Sequence, residues 1–226
     1  MCGRFAAGPR TWAELYEIHQ GFLDSLGELT EDTETIRESY NIKPTQDVGM
    51  LHPTPDGLHL TRARWWFVPH WFKKPATEWK ATTFNAKIET ANEKPTFRDA
   101  WRHARCLIPA NGYYEWTGTK GHKQPWYITP QTNEPGFFFA GLWSRLRDGT
   151  ASCAILTRPA ANEIFDLHPR MPVMLKGEEL AGWLSYAQTD TETIAELGTG
   201  WQFRAHKVHR FGMKDDGPDL IAPWDG

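Results

Sequence analysis

The sequence predicts an α+β fold in which a strongly bent, mostly antiparallel sheet carries a few lateral helices. Three observations predict it. Short apolar runs recur at close intervals and are broken by Pro, Gly and Asn; helical periodicity is confined to four segments; and no repeat, low-complexity block or Gly/Ser linker divides the 226 residues. The last of these gives one domain over residues 1–226.

Taken in order, Thr11-Trp12-Ala13-Glu14 reads as a capping box, and Trp12, Leu15, Tyr16, His19, Phe22, Leu23 and Leu26 follow at helical spacing. The acidic run Glu28–Glu38 is expected to be a solvated loop. Val48–His52 and Leu58–Trp66 read as strands flanking a Pro53–Gly57 turn. Ala104–Ala110 and Tyr113–Thr117, joined by Asn111-Gly112, carry the signature of a two-residue hairpin. Trp126–Thr129, Phe137–Leu142 and Ser152–Thr157 continue the strand pattern, and Trp201–His209 repeats it. Thr96–His103, Pro159–Leu167 and Glu178–Tyr186 are the remaining helix candidates.

Composition narrows the function classes. The longest strongly apolar stretch, Phe137–Trp143, is far short of the roughly 20 residues that span a bilayer, and the N-terminus lacks the apolar core of a signal peptide. An unexported, cytoplasmic chain with no membrane partner is expected. Cys2, Cys106 and Cys153 are odd in number and form no C-x-x-C pair, which fits a reducing compartment and supplies neither a disulfide framework nor a four-thiolate zinc site. No metal site is expected: His206 and His209 are three apart in a strand pattern and point to opposite faces. The net charge is −3, yet residues 62–105 hold 10 Lys+Arg against 4 Asp+Glu and include Trp65, Trp66, Phe67, Trp71, Phe72 and Trp79. Cations interleaved with aromatics suit a single-stranded nucleic acid, whose backbone needs charge and whose unstacked bases need π-surfaces. A solvated face over an aromatic core explains the same pattern.

Cys2 carries the sharpest chemistry. Methionine aminopeptidase removes Met1 readily before a residue as small as Cys, which leaves a thiol and a free α-amine on one residue. Such a 1,2-aminothiol condenses with an aldehyde to an imine, and the sulfur then closes a thiazolidine ring; an incidental small residue at a loose end is the alternative. Cys106 and Cys153 lie in apolar strands and are assigned no chemistry. Glu115 sits mid-strand among aromatics, on the face of Tyr113 and opposite Tyr114 and Trp116. If that face is enclosed, desolvation raises its pKa and makes it a general acid/base; if not, it is a solvated hairpin carboxylate. In His168-Pro169-Arg170-Met171-Pro172 two prolines stiffen the backbone around an imidazole and a guanidinium, a placement equally suited to a helix-end His that only satisfies carbonyls. Asn85 is a candidate for orienting a sugar or the Cys2 amine.

Six blocks occur in a recognisable order: Met1–Phe5, Tyr40–Thr45, Trp65–Pro69, Phe84–Glu89, Gly112–Trp116 and His168–Val173. Together they resemble the SOS-response-associated peptidase (SRAP) family over essentially the whole chain. The resemblance implies a single SRAP-like domain with a curved, barrel-like sheet and flanking helices, needing no cofactor. It implies as partner a single-stranded DNA with an abasic site, whose ring-opened sugar exposes an aldehyde; a monomer is expected, and partners at the replication fork stay unspecified. By motif, Cys2 is the nucleophile, Asn85 positions sugar and amine, Glu115 shuttles protons and His168 assists sugar opening and cross-link reversal. Arg4, Lys87 and Arg170 match phosphate ligands, Trp71 and Phe72 match an aromatic pair that wedges against bases, and Pro44 falls among the DNA contacts. Lys87 stands where the family usually has Arg, which reduces a bidentate grip to a point-charge contact. Residues 208–214 lack the family's Val-Asn pattern. Two other classes compete: an N-terminal-nucleophile cysteine peptidase, which needs an oxyanion hole that no motif specifies, and a non-catalytic single-stranded DNA-binding module.

Overall fold

In the computed structural model, residues 2–8, 11–31, 38–186, 194 and 196–224 are described. The chain runs β1 (Phe5–Ala7), α1 (Thr11–Leu23), β2 (Glu28–Glu31), β3 (Ser39–Ile42), β4 (Asp47–Thr54), β5 (Gly57–Trp65) and β6 (Asn85–Lys87). It continues through α2 (Arg98–His103), β7 (Arg105–Ala110), β8 (Gly112–Thr117), β9 (Gln124–Pro130), β10 (Phe137–Arg145) and β11 (Ala151–Pro159). It finishes with β12 (Arg170–Pro172), β13 (Met174–Leu175), α3 (Glu178–Leu184) and β14 (Phe203–Lys207).

The α+β class holds. Strands β5, β4, β7, β10 and β11 pair in that order, and β11 returns to β5 in parallel through Ser152↔Arg64 and Cys153↔Trp65, so five strands close a ring. Closure leaves those strands no open edge within the ring, and the remaining parallel pairs, β2 with β5 and β6 with β11, extend it. A second sheet runs β14-β9-β8-β1-β3. Period-2 alternation sorts the ring's side chains into two cores. Leu51, Leu60, Leu107, Phe138, Ala140 and Leu156 pack with Leu15 of α1, Trp101 of α2 and Trp183 of α3. Met50, Ala63, Trp65, Ile108, Phe139 and Ile155 pack instead with Phe5, Ile42, Tyr113 and Ile128 of the second sheet. Among the described residues no helix is long and apolar enough to cross a membrane.

Several expectations are corrected. β7 and β8 do not form a hairpin: β7 belongs to the ring and β8 to the second sheet, so Asn111-Gly112 is a corner between sheets. Neither residue takes a positive φ, so the hairpin turn that Asn-Gly favours is absent. Asn111 instead accepts the Gly8 N–H on Oδ1 (2.6 Å) and donates Nδ2 to the Pro135 carbonyl (2.7 Å). Glycine is needed at 112 because a Cβ there would lie 2.4 Å from the Tyr127 ring. Residues 28–31 are strand rather than loop, because pairing with Gly57–Leu60 seats Leu29 against the core; residues 32–37 of that acidic run lie outside the described ones. The Pro159–Leu167 helix shrinks to a 3-10 turn at Asn162–Ile164, since Pro159 is still pairing with Arg170 at the end of β11. The helix at Thr11 begins where expected, although its capping side chain lies outside the described residues.

Candidate active site

β1 is the pivot of the site. It lies between β3 and β8, and Phe5 is held edge-on between Trp65 (5.0 Å) and Phe139 (5.4 Å), which fixes the residues before it against the core. Cys2 is fully buried as a result, with its thiol 3.7 Å from the Arg4 carbonyl oxygen. The Phe5↔Tyr113 register brings the next inward residue of β8, Glu115, toward the chain start. The alternation read from the sequence is observed: Tyr113 and Glu115 face the enclosed side, whereas Tyr114 packs with Tyr127 and Val208 on the other. From the ring, β6 runs parallel to β11 and carries Asn85, whose Nδ2 donates to the Cys2 carbonyl oxygen at 2.7 Å. The Asn85 Oδ1 is buried and makes no hydrogen bond among the described residues.

Electrostatics follow from this enclosure. Burial pushes the Cys2 thiol far up, and the charge of Glu115 pushes it further, so the sulfur is held as a thiol. Desolvation raises the Glu115 carboxyl to about 7, against the pull of the N-terminal ammonium and Lys123. Burial lowers the His168 pKa, and the N-terminal charge lowers it further. One small region therefore holds a protonated thiol, a carboxyl that changes state near neutrality and a mostly neutral imidazole. Among the described residues no group of three or more His, Cys, Asp or Glu side chains is placed to hold a metal.

A family model described as SOS response associated peptidase (SRAP) matches residues 1–211. The chain belongs to this family. It is 30% identical to the abasic site processing protein YedK of Escherichia coli K12, with 99% of this chain and 100% of that one covered. It is 31% identical to the abasic site processing protein YoqW of Bacillus subtilis strain 168, with 98% and 99% covered. A crystal structure of a protein from Bacteroides thetaiotaomicron shares the fold at a TM-score of 0.76, covering 98% of both chains at 22% identity.

In this SRAP chain the remaining sequence-predicted residues fall into three environments. Lys87 is exposed at the end of β6 and points to the same side as Asn85, two residues before it. Trp71 (46% exposed) and half-buried Phe72 sit in the loop after β5, each edge-on to Trp79 at 5.8 and 5.0 Å. Arg4 and Arg170 are already engaged. Arg4 donates Nη1 to Asn41 Oδ1 (2.5 Å), places Nη2 3.2 Å from the Met213 sulfur and lies over the Trp116 and Phe211 rings. Arg170 forks onto the Glu89 carboxylate. The basic stretch is also less uniform than its sequence: Arg105 is fully buried, over the Trp183 ring at 4.9 Å and donating to the Trp101 carbonyl, so it is a core cation. Trp65 and Phe67 are likewise core.

Two features carry no clear sequence signal. Thr45, beside half-buried Pro44, adopts φ 78°, a region that a β-branched residue rarely enters; its N–H donates to the Trp65 carbonyl at 2.9 Å. The 212–216 turn, which overlaps the 208–214 stretch singled out in the sequence, is tied across the molecule to β3 and to Lys43 just after it. Asn41 Nδ2 donates to the Gly212 and Asp215 carbonyls (3.1 and 2.5 Å), Asp216 accepts from Ser39 Oγ and the Tyr40 N–H (2.7 Å each), and Lys43 Nζ reaches the Met213 carbonyl.

Proposed function

We propose that the protein captures abasic sites in single-stranded DNA as a covalent thiazolidine on Cys2 once Met1 has been removed. What carries the reading is that Asn85 donates to the Cys2 carbonyl, the Glu115 charge acts on the Cys2 thiol and the N-terminal charge acts on His168, all about a residue that bears both a thiol and the α-amine once Met1 is gone. Its relatives YedK and YoqW are named abasic site processing proteins, which supports the substrate class.

The ring-opened sugar offers an aldehyde. The Cys2 amine adds to it, giving a carbinolamine; loss of water, with Glu115 donating the proton to the departing hydroxyl, gives the protonated imine. The thiol then adds to the imine carbon, its proton passes to the Glu115 carboxylate, and the nitrogen is left as a secondary amine within a five-membered ring. One water is lost overall, and Glu115 ends as it began. A carboxyl that titrates at about 7 suits both halves of this cycle at neutral pH. His168 serves sugar opening and release; Lys87 contacts a phosphate; Pro44, Trp71 and Phe72 pack against the bases beside the lesion. Amide hydrolysis by Cys2 is disfavoured, because burial raises the thiol pKa where a peptidase nucleophile needs it depressed.

Intact mass spectrometry after mixing with an abasic oligonucleotide tests this. The expected product is heat-stable and weighs the sum of the two less one water. A heat-stable adduct formed equally well by protein that retains Met1 would overturn the reading, because ring closure consumes the free amine of Cys2.

A further inference from the structure

We infer that Glu89 is a positioning residue for His168, acting through Arg170, whose backbone partners the imidazole in both of its neutral tautomers. The inference rests on the reading of the Cys2 site given above and adds a residue to it.

His168 Nδ1 lies 3.0 Å from the Arg170 amide nitrogen and 3.0 Å from the Arg170 carbonyl oxygen. A ring with Nδ1 bare accepts the N–H and carries its proton on Nε2; a ring with Nδ1 protonated donates to the carbonyl and leaves Nε2 as a base. Nδ1 therefore has a backbone partner in either tautomer, so the ring stays anchored there whether Nε2 gives or takes a proton, as a group serving sugar opening and its reversal must. When Nε2 of the doubly protonated ring gives up its proton, the product is the tautomer that donates to the carbonyl. When that tautomer takes a proton, it does so on Nε2, and Nδ1 keeps its bond to the carbonyl.

This cradle works only while the Arg170 backbone is fixed, and the Arg170 side chain fixes it. Both terminal nitrogens fork onto the Glu89 carboxylate, Nη2 at 2.9 Å, and Nη2 also reaches the Thr157 carbonyl (2.6 Å) and Oγ1 (3.2 Å). The same Thr157 carbonyl accepts the Ile88 N–H at 2.9 Å, and Pro159 pairs with Arg170. One guanidinium thus ties the segment after β6, strand β11 and the start of β12 into a single unit. The Arg170 side chain is 16% exposed, and its charge holds the Glu89 carboxyl below the usual range against a desolvation cost. A bidentate fork supplies geometry as well as charge, which a lysine ammonium does not.

The test combines a kinetic and a spectroscopic readout on the full chain. In Glu89→Gln, release of a preformed adduct onto competitor abasic DNA is expected to slow roughly 10- to 100-fold, the scale on which small misplacements of a catalytic group act. DNA affinity should stay within about twofold, and Glu89→Asp should recover most of the rate, because it restores the carboxylate fork. Imidazole nitrogen NMR shifts, recorded without DNA, should show His168 losing its wild-type Nδ1 signature in Glu89→Gln and in Arg170→Lys. Thr157→Val, which removes one acceptor and keeps the side-chain shape, should slow release severalfold and guards against a Glu89 variant that fails to fold. Wild-type release with unchanged His168 shifts in Glu89→Gln overturns the inference, as does a folded Glu89→Asp as slow as Glu89→Gln. Absence of any adduct in the wild type would instead overturn the proposed function, and the NMR comparison would still judge Glu89.

Discussion

The Cys2 region and the loop bearing Trp71 and Phe72 are opposite ways of using side chains. Around Cys2 the side chains are delivered by a strand or a fixed backbone segment: Glu115 by β8, Asn85 by β6 and His168 by the segment leading into β12. Enclosure there removes water, and the loss of water is what moves the Cys2, Glu115 and His168 titrations. Trp71 and Phe72 sit in a loop over Trp79 with their faces partly in solvent, among lysines such as Lys73, Lys74 and Lys80 that keep their hydration. Reactivity needs groups held away from water at fixed geometry, whereas gripping an irregular single strand needs π-surface and charge that can adjust. The two regions should therefore fail differently when altered.

The largest effect is expected at the sulfur. Cys2→Ser should abolish heat-stable adduct while leaving an imine that borohydride traps, read by gel mobility of labelled DNA; a heat-stable Cys2→Ser adduct would erase the distinction between imine and ring. Next is Glu115→Gln, which should slow adduct formation by about 10²–10⁴-fold with DNA affinity nearly intact. The same substitution should stabilise the fold at high pH. The native carboxyl titrates at about 7 against an ordinary 4.5, so the native chain holds a proton that the unfolded chain has lost, and stability falls as pH rises between those values. Above pH 7 the burden is roughly 3 kcal/mol, at about 1.4 kcal/mol per unit. Denaturant melts of both proteins at pH 4 and pH 8 should show a gap that opens at the higher pH; an equal gap at both would place Glu115 in an ordinary solvated setting.

Smaller effects belong to the loop. Replacing Trp71 and Phe72 together by Ala should weaken single-strand binding by roughly 1–3 kcal/mol per stacked base, with the adduct-forming rate at saturating DNA almost unchanged. A fall in that rate instead would mean the loop takes part in the chemistry. The smallest change is expected from Lys87→Ala: a salt-dependence slope shallower by about 0.7, one phosphate's share on a single strand, measured by titration at several salt concentrations.

Legibility in the sequence followed the range of the interaction. Glu115 was readable because alternation is local and Tyr114 and Trp116 flank it. The β4–β5 hairpin was readable because its turn lies between its strands. Asn111-Gly112 misled because its local preference was overridden by two sheets meeting there, with Tyr127 occupying the space a side chain at 112 would need. The family resemblance offers Arg170 as a phosphate ligand, but its fork onto Glu89 depends on β11 and β12 meeting β6, which nothing in either block announces. The charge count of residues 62–105 likewise concealed that Arg105 is buried beneath two indoles.

The ties from residues 212–216 to Arg4 and β3 impose an order of events during synthesis. Asn41, Ser39 and Tyr40 find their partners more than 170 positions later, and Arg4 finds Met213 209 positions later. Until that stretch has been made, Arg4 and β3 lack these ties, and the chain start is held by the pairing of β1 with β3 and β8 and by the packing of Phe5 alone. Contacts of such separation also form slowly. On the function proposed for Cys2, Met1 is removed before this late-made turn completes the enclosure, so the long separation between Arg4 and Met213 works as a timer for that maturation.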